Sequence, residues 1–161
     1  MKANYHTHTW RCRHATGSER EYVERAIEGG LKVLGFSDHT PYPYPEGYTS
    51  GMRMRVDQLE DYVTTVLSLK EEYKKDIEIH VGLEVEYYPA FFDGLLQAVA
   101  SWPIEYFLLA QHCVGNEMEG VYSGTLTQEP SILERYCDQV IEGMETGRFT
   151  YVAHPDILNF N

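Results

Sequence analysis

The chain is poor in the features that mark several large protein classes. It has three cysteines, Cys12, Cys113 and Cys137, an odd number with no CxxC spacing. Neither a disulfide frame nor a thiolate zinc site is indicated, and a reducing cytoplasm is the expected location. Basic residues are scarce, 13 Lys and Arg against 25 Asp and Glu, for a formal net charge of -12. Gripping nucleic acid takes a basic surface, so nucleic acid is not an expected partner. No apolar run approaches the ~20 residues that span a bilayer. The opening MKANYHTHTW carries no apolar signal region, so neither membrane insertion nor export is expected.

What is present is enough material for one core. The 161 residues are 43% apolar and include 13 tyrosines, which suits a single domain over 1–161. Short apolar runs alternate with longer helical patterns five times, without linker or repeat, and this is a βα series. Strands are expected over 3–8, 31–37, 77–84, 106–110 and 149–153. A first helix opens at Ser18, with Glu21 completing a capping box, and ends at Gly29 and Gly30. A second starts near Asp57 and Glu60 and carries Leu59, Tyr62, Val63, Val66, Leu67 and Tyr73 at core-facing spacing. A short helix follows over 91–100, and a fourth runs from Thr127 through Pro130 in its first turn to Gly147. Pro41, Pro43, Pro45, Gly47 and Gly51 exclude regular structure after the second strand, leaving a lid-like loop. A glycine-rich loop is expected over 115–124.

Metal-binding residue types sit where these strands stop. His6 and His8 close the first, His39 the second, Glu84 the third, His112 the fourth and His154 the fifth. Parallel strands joined by helices point their carboxyl ends to one rim, where such folds place their chemistry. HxH spacing lets two imidazoles on one strand face chelate one ion, although alone it is a weak signal. His14 lies in a loop able to fold over the same rim. Asp38 stands beside His39, as a carboxylate orienting an imidazole or as a turn former. Glu84 is preferred over Glu86 as the bridging carboxylate, and His80 is set lower in the sheet and left out. Six neutral imidazoles and one carboxylate around two or three divalent ions make an electropositive site. That suits a phosphate dianion and the activation of water, hence phosphoester hydrolysis.

These residues resemble the PHP superfamily, and within it the histidinol-phosphatase branch. The resemblance rests on His6-Thr7-His8-Thr9, Cys12-x-His14-Ala15-x-Gly17, Gly35-Phe36-Ser37-Asp38-His39-x-Pro41, Met52-Arg53-Met54, Gly82-Leu83-Glu84-Val85, Gln111-His112 and Ala153-His154-Pro155-Asp156. It implies an α/β fold, a distorted TIM-like (β/α)7 barrel, here incomplete with about five βα units. It further implies a centre of two to three divalent ions, Zn, Mn or Fe. Carried over by motif, His6 and His8 hold the first metal, Glu84 bridges first and second and positions the hydroxide, His112 and His154 hold the second, and His14 and His39 the third. The implied reaction is hydrolysis of L-histidinol phosphate to L-histidinol and phosphate, in histidine biosynthesis. Arg53, in the lid-like loop, is a candidate substrate contact, with a solvated or structural arginine the alternative.

The resemblance also implies that family members extend beyond Asn161, with two further strands, a phosphate-binding arginine region and a late Asp-x-His motif that gives one ligand to the first metal and one to the third. The 161-residue chain is therefore expected to be a PHP domain truncated at its C-terminal side, open along one barrel edge, with self-association through that edge possible and weak first and third metals. Two other functions fit the residues. One is another PHP phosphoesterase, acting on nucleotides or nucleic-acid ends, which the acidic composition and the Cys12 and Arg53 motifs argue against. The other is a non-catalytic metal-binding fragment.

Overall fold

The computed structural model describes residues 2–161. Its centre is a five-stranded sheet, parallel throughout, with helices in the connections. Strand β1 is Ala3–Asn4, helix α1 Glu19–Glu28, β2 Val33–His39, α2 Leu59–Glu72, β3 Glu78–Val85, α3 Phe92–Val99 and β4 Tyr106–Leu109. A two-stranded hairpin of β5 (Cys113–Val114) and β6 (Val121–Tyr122) follows, then α4 (Pro130–Glu145) and β7 (Tyr151–Val152). The sheet order is β1-β2-β3-β4-β7, so chain order and spatial order agree and the sheet curls as half of a barrel. No helix among the described residues is long and apolar enough to cross a membrane.

Local chemistry explains the start of α1 and the turn before α2. The Ser18 side chain accepts from the Glu21 amide, and the Ser18 amide donates to Glu21 Oε2 at 2.7 Å, closing the expected capping box. Helix α2 is preceded by a 3-10 turn over Val56–Gln58, in which Gln58 Oε1 accepts the Arg55 amide at 3.0 Å. Its buried stripe is Leu59, Tyr62, Val63, Val66 and Leu69, packed beneath Phe36, Val81, Leu83 and Val85 of the sheet. Burying apolar surface at about 25 cal/mol per Å² drives this layer.

Two expectations need correction. Strand one does not reach His8, because Asn4 Oδ1 accepts the His6 amide at 3.0 Å and Asn4 Nδ2 donates to Thr7 Oγ1 at 3.1 Å. These local bonds turn the chain out of the ladder. The segment 115–124 is not all loop, because its flanks pair as the β5–β6 hairpin, registered Cys113 to Tyr122 and Val114 to Val121.

Beneath the rim the Tyr106 ring covers two glycines on the sheet's inner face, with Tyr5 packed edge-on against it. Tyr106 lies across Gly35 and Gly82, and its hydroxyl donates to Tyr5 O at 2.8 Å and Phe36 O at 3.1 Å. A Cβ on Gly82 would sit 2.3 Å from Tyr106 Cζ. Gly82→Ala is accordingly expected to destabilise the protein by about 1–3 kcal/mol through overpacking. Adding Tyr106→Leu should recover part of that loss, as urea unfolding of the single and double variants will measure.

Candidate metal centre

Glu84 is next to last in β3, in register with His39 on β2, and its side chain is fully buried. Around it the chain turns imidazoles inward from four directions. His6 Nε2 lies 3.0 Å and His154 Nε2 2.8 Å from Glu84 Oε1, while His8 Nε2 lies 3.3 Å and His39 Nδ1 3.1 Å from Oε2. His112 Nε2 stands 3.7 Å from Oε1. His14 completes the circle, its ring centroid 5.2 Å from that of His8 and 5.1 Å from that of His39. All seven candidates, six expected at strand ends and His14 in its loop, thus converge, whereas His80 pairs elsewhere, with Glu105 and Glu78.

Several of these contacts are close without being bonded. His6 Nε2, His39 Nδ1 and Glu84 Oε2 are buried and lack any hydrogen bond of acceptable geometry. Unsatisfied buried polar atoms are uncommon in folded proteins. A shared cation would satisfy nitrogen lone pairs and carboxylate oxygens that face one another. Donor atoms within 4.8 Å of each other form four groups able to hold an ion: His6, Glu84 and His154; His8, His39 and Glu84; His39, Glu86 and His112; and His8, Cys12 and His14. The residues present therefore fit divalent metals, in nitrogen and oxygen sites suited to Zn, Mn or Fe.

The electrostatics are those of a cluster whose compensation comes from protons. Burial alone would raise the Glu84 pKa, but the hydrogen bond from His154, the nearby His6 imidazole and the charges of His39 and His112 hold it far below the carboxylate range. Burial pushes His39 down to about 3, against the pull of Glu84 and Glu86. Burial also opposes protonation of His8, yet bonding to Asp38 and Cys12 and the charge of Glu84 raise it to about 10.

The supporting residues differ from expectation in one respect. Asp38 does not orient the His39 ring. Its Oδ1 lies 3.4 Å from His8 Nδ1 and accepts the His39 amide, and its Oδ2 accepts the Thr9 amide and hydroxyl. The adjacent strand end brings His8, not His39, within reach of Asp38. His14 reaches the rim because Arg13 takes a left-handed conformation, φ 66°, and His14 Nδ1 contacts Cys12 O at 3.0 Å. That turn is fastened from below by Arg11, buried and paired with Glu19 and Asp61. Arg53, expected to face substrate, is 1% exposed, with its guanidinium bonded to Glu86, Glu117 and Thr40 O. Glu117 carries no chemical motif, and its part in this network was not readable from sequence.

A parallel half-barrel whose carboxyl rim gathers six histidines about one buried glutamate defines a class of metal-binding α/β domain. The chain belongs to the PHP domain family, whose profile matches residues 4–161. It is 31% identical over 110 residues to a probable histidinol-phosphatase of Deinococcus radiodurans, a match covering 68% of this chain and 42% of that one. It is 28% identical over 163 residues to a histidinol-phosphatase of Lactococcus lactis subsp. lactis, covering 94% of this chain and 58% of the relative. In structure it is similar to the L. lactis histidinol phosphate phosphatase complexed with zinc, L-histidinol and phosphate, with a TM-score of 0.76, 21% identity and coverage of 99% and 60%. The chain spans less than two thirds of each of these three proteins.

The raised His8 pKa fixes a sign for metal binding. An ion taking the His8 imidazole must displace a proton held up to about pH 10, whereas His39 is already neutral above about 3. Metal affinity should therefore rise with pH, by about tenfold per unit for each proton released, and fall on acidification. Titration calorimetry in buffers of different ionisation heat should read at least one proton released at neutral pH, and none would contradict this.

Proposed function

We propose that this chain provides the metal centre of a phosphomonoester hydrolase that converts L-histidinol phosphate to L-histidinol and phosphate, in the cytoplasm and within histidine biosynthesis. The observation that carries the reading is the buried Glu84 carboxylate ringed by His6, His8, His39, His112 and His154, with three of the facing donor atoms left without hydrogen bonds. The names of the relatives supply the substrate. The ligand set proposed is His6, His8, His14, His39, Glu84, His112 and His154, holding two to three divalent ions. When bound, such ions contribute Lewis acidity toward phosphoryl oxygens and activation of water at neutral pH.

The protein's own contribution is charge and placement. Glu84 divides its neighbours, with Oε1 facing His6 and His154 and Oε2 facing His8 and His39. One carboxylate could therefore serve two ions, with His6 and His154 beside one oxygen and His8 and His39 beside the other. Among the proposed ligands only Glu84 is an acid, so the loaded site keeps a net positive charge and attracts a phosphate dianion into a chain of formal charge -12. That same surface disfavours long polyanionic substrates. His39 and His112, 2% and 7% exposed, sit where water is largely excluded, which strengthens every charge interaction there.

The test is phosphate release by the metal-loaded protein with L-histidinol phosphate and, separately, a nucleotide monophosphate. Faster turnover of histidinol phosphate is expected, with a loss of at least about 10–100-fold in Glu84→Gln, since losing the anionic ligand should weaken the ions at least as much as losing an outer partner does. Preference for the nucleotide would point to another phosphoesterase. Tight metal binding without turnover of either would reject the enzyme reading.

A further inference from the structure

The loop after β2 and the segment after β3 meet at one buried ion pair that has no part in the metal assignments above. Arg53 Nη1 and Nη2 donate to Glu86 Oε2 and Oε1, each at 2.9 Å, in a two-point clasp. Both groups are shut off from solvent, Arg53 at 1% and Glu86 at 0% exposure. Glu86 Oε1 also lies 2.9 Å from His112 Nδ1. A carboxylate only accepts, so this contact puts the imidazole proton on Nδ1 and leaves the Nε2 lone pair on the side facing Glu84. Glu86 is close enough to His39 and His112 to be a ligand. Yet both its oxygens are already taken by the guanidinium, and an ion bound there would stand against a fixed positive charge.

The remaining bonds of Arg53 tie the lid-like loop to this pair. Nη1 donates to Thr40 O at 3.1 Å, at the loop's start, and Nε donates to Glu117 at 2.6 Å, in the β5–β6 turn. Tyr44 and Tyr48 of the same loop donate to Glu117 at 3.1 and 3.0 Å. On the other side, the Ser123 amide donates to His112 O at 2.8 Å and fixes the backbone that carries the ring.

We infer that Glu86 and Arg53 are positioning residues: Glu86 fixes the tautomer and direction of His112, and Arg53 holds Glu86 in place while fastening the loop over the site. The inference rests on the metal-centre reading but not on the reaction. Outer partners of this kind typically change metal affinity by about 10–100-fold when removed.

Three variants test it: Glu86→Gln, Arg53→Lys, and the double variant Arg53→Met with Glu86→Gln, which leaves no buried guanidinium facing a neutral partner and so guards against misfolding. The first readout is imidazole ¹⁵N shifts of the metal-free protein at alkaline pH, where the ring is neutral. The second is zinc titration. His112 should be the Nδ1–H tautomer in the parent, shift toward Nε2–H in the double variant, and stay Nδ1–H in Arg53→Lys, which keeps the cation. One zinc equivalent should weaken about 10–100-fold in the double variant, with the others unchanged. A folded double variant with the parent's tautomer and zinc affinities overturns the inference. So does loss of a whole equivalent at saturating zinc in Glu86→Gln with the tautomer retained, because Glu86 would then be a ligand. Neither readout needs turnover, so failure here is distinct from failure of the phosphatase reading.

Discussion

Everything at the rim depends on keeping the Glu84 carboxylate ionised in a place with no solvent. An uncompensated buried carboxylate costs far more than a small domain's net stability, so such groups are neutralised, paired or coordinated. Here β2, β3 and β4 run parallel in a fixed register that sets Glu84 between His39 and Leu108. The segment past β1 adds His6 and His8, and the turn past β7 adds His154. The sheet thus delivers compensation from both sides of one side chain. Neighbouring imidazoles provide it through protons, and divalent ions would do so with more charge and with the geometry the donors already hold.

A second layer of charge keeps those imidazoles still. Asp38 reaches His8, Glu86 reaches His112, and Arg53 and Arg11 each neutralise acids while tying down a loop. Removing one member of a buried ion pair typically costs about 3–5 kcal/mol, since the other is left unpaired. The loop after β2 is held both by these polar bonds and by Tyr42 and Met54, which are buried in the main hydrophobic cluster beside Tyr88. That cluster continues down between the sheet and α1, α2 and α3.

This division explains what the sequence discloses. Expected strand-end position was enough to pick six of the seven converging residues, because side-chain parity and parallel topology carry a local pattern directly into space, whereas His14 lies in a loop. Ser18 and Glu21 were equally legible, since a capping box is defined within four residues. Asn4 was not: its side chain ends β1 early by bonding to the next residues, while apolar periodicity alone carries the strand on to His8. The β5–β6 hairpin escaped because two-residue strands leave too short a pattern to read. Glu117 and the true surroundings of Arg53 were invisible for a different reason. Their partners lie 64 and 33 residues away in sequence, and nothing local distinguishes a buried arginine from one facing substrate.

Net charge and local charge pull in opposite directions in this molecule, and the fold reconciles them. At -12 the surface as a whole repels phosphates, but within about 8–10 Å, the Debye length near physiological salt, local groups dominate what an approaching ion feels. The rim places six imidazoles and one carboxylate in that range, and the acids beside them are already paired: Asp38 near His8, Glu86 and Glu117 with Arg53. Any divalent charge added there would be neutralised only in part by the protein. The shortage of free carboxylates at the rim, in a chain otherwise rich in them, is what separates a centre that leaves charge available for an anion from one that merely sequesters a metal.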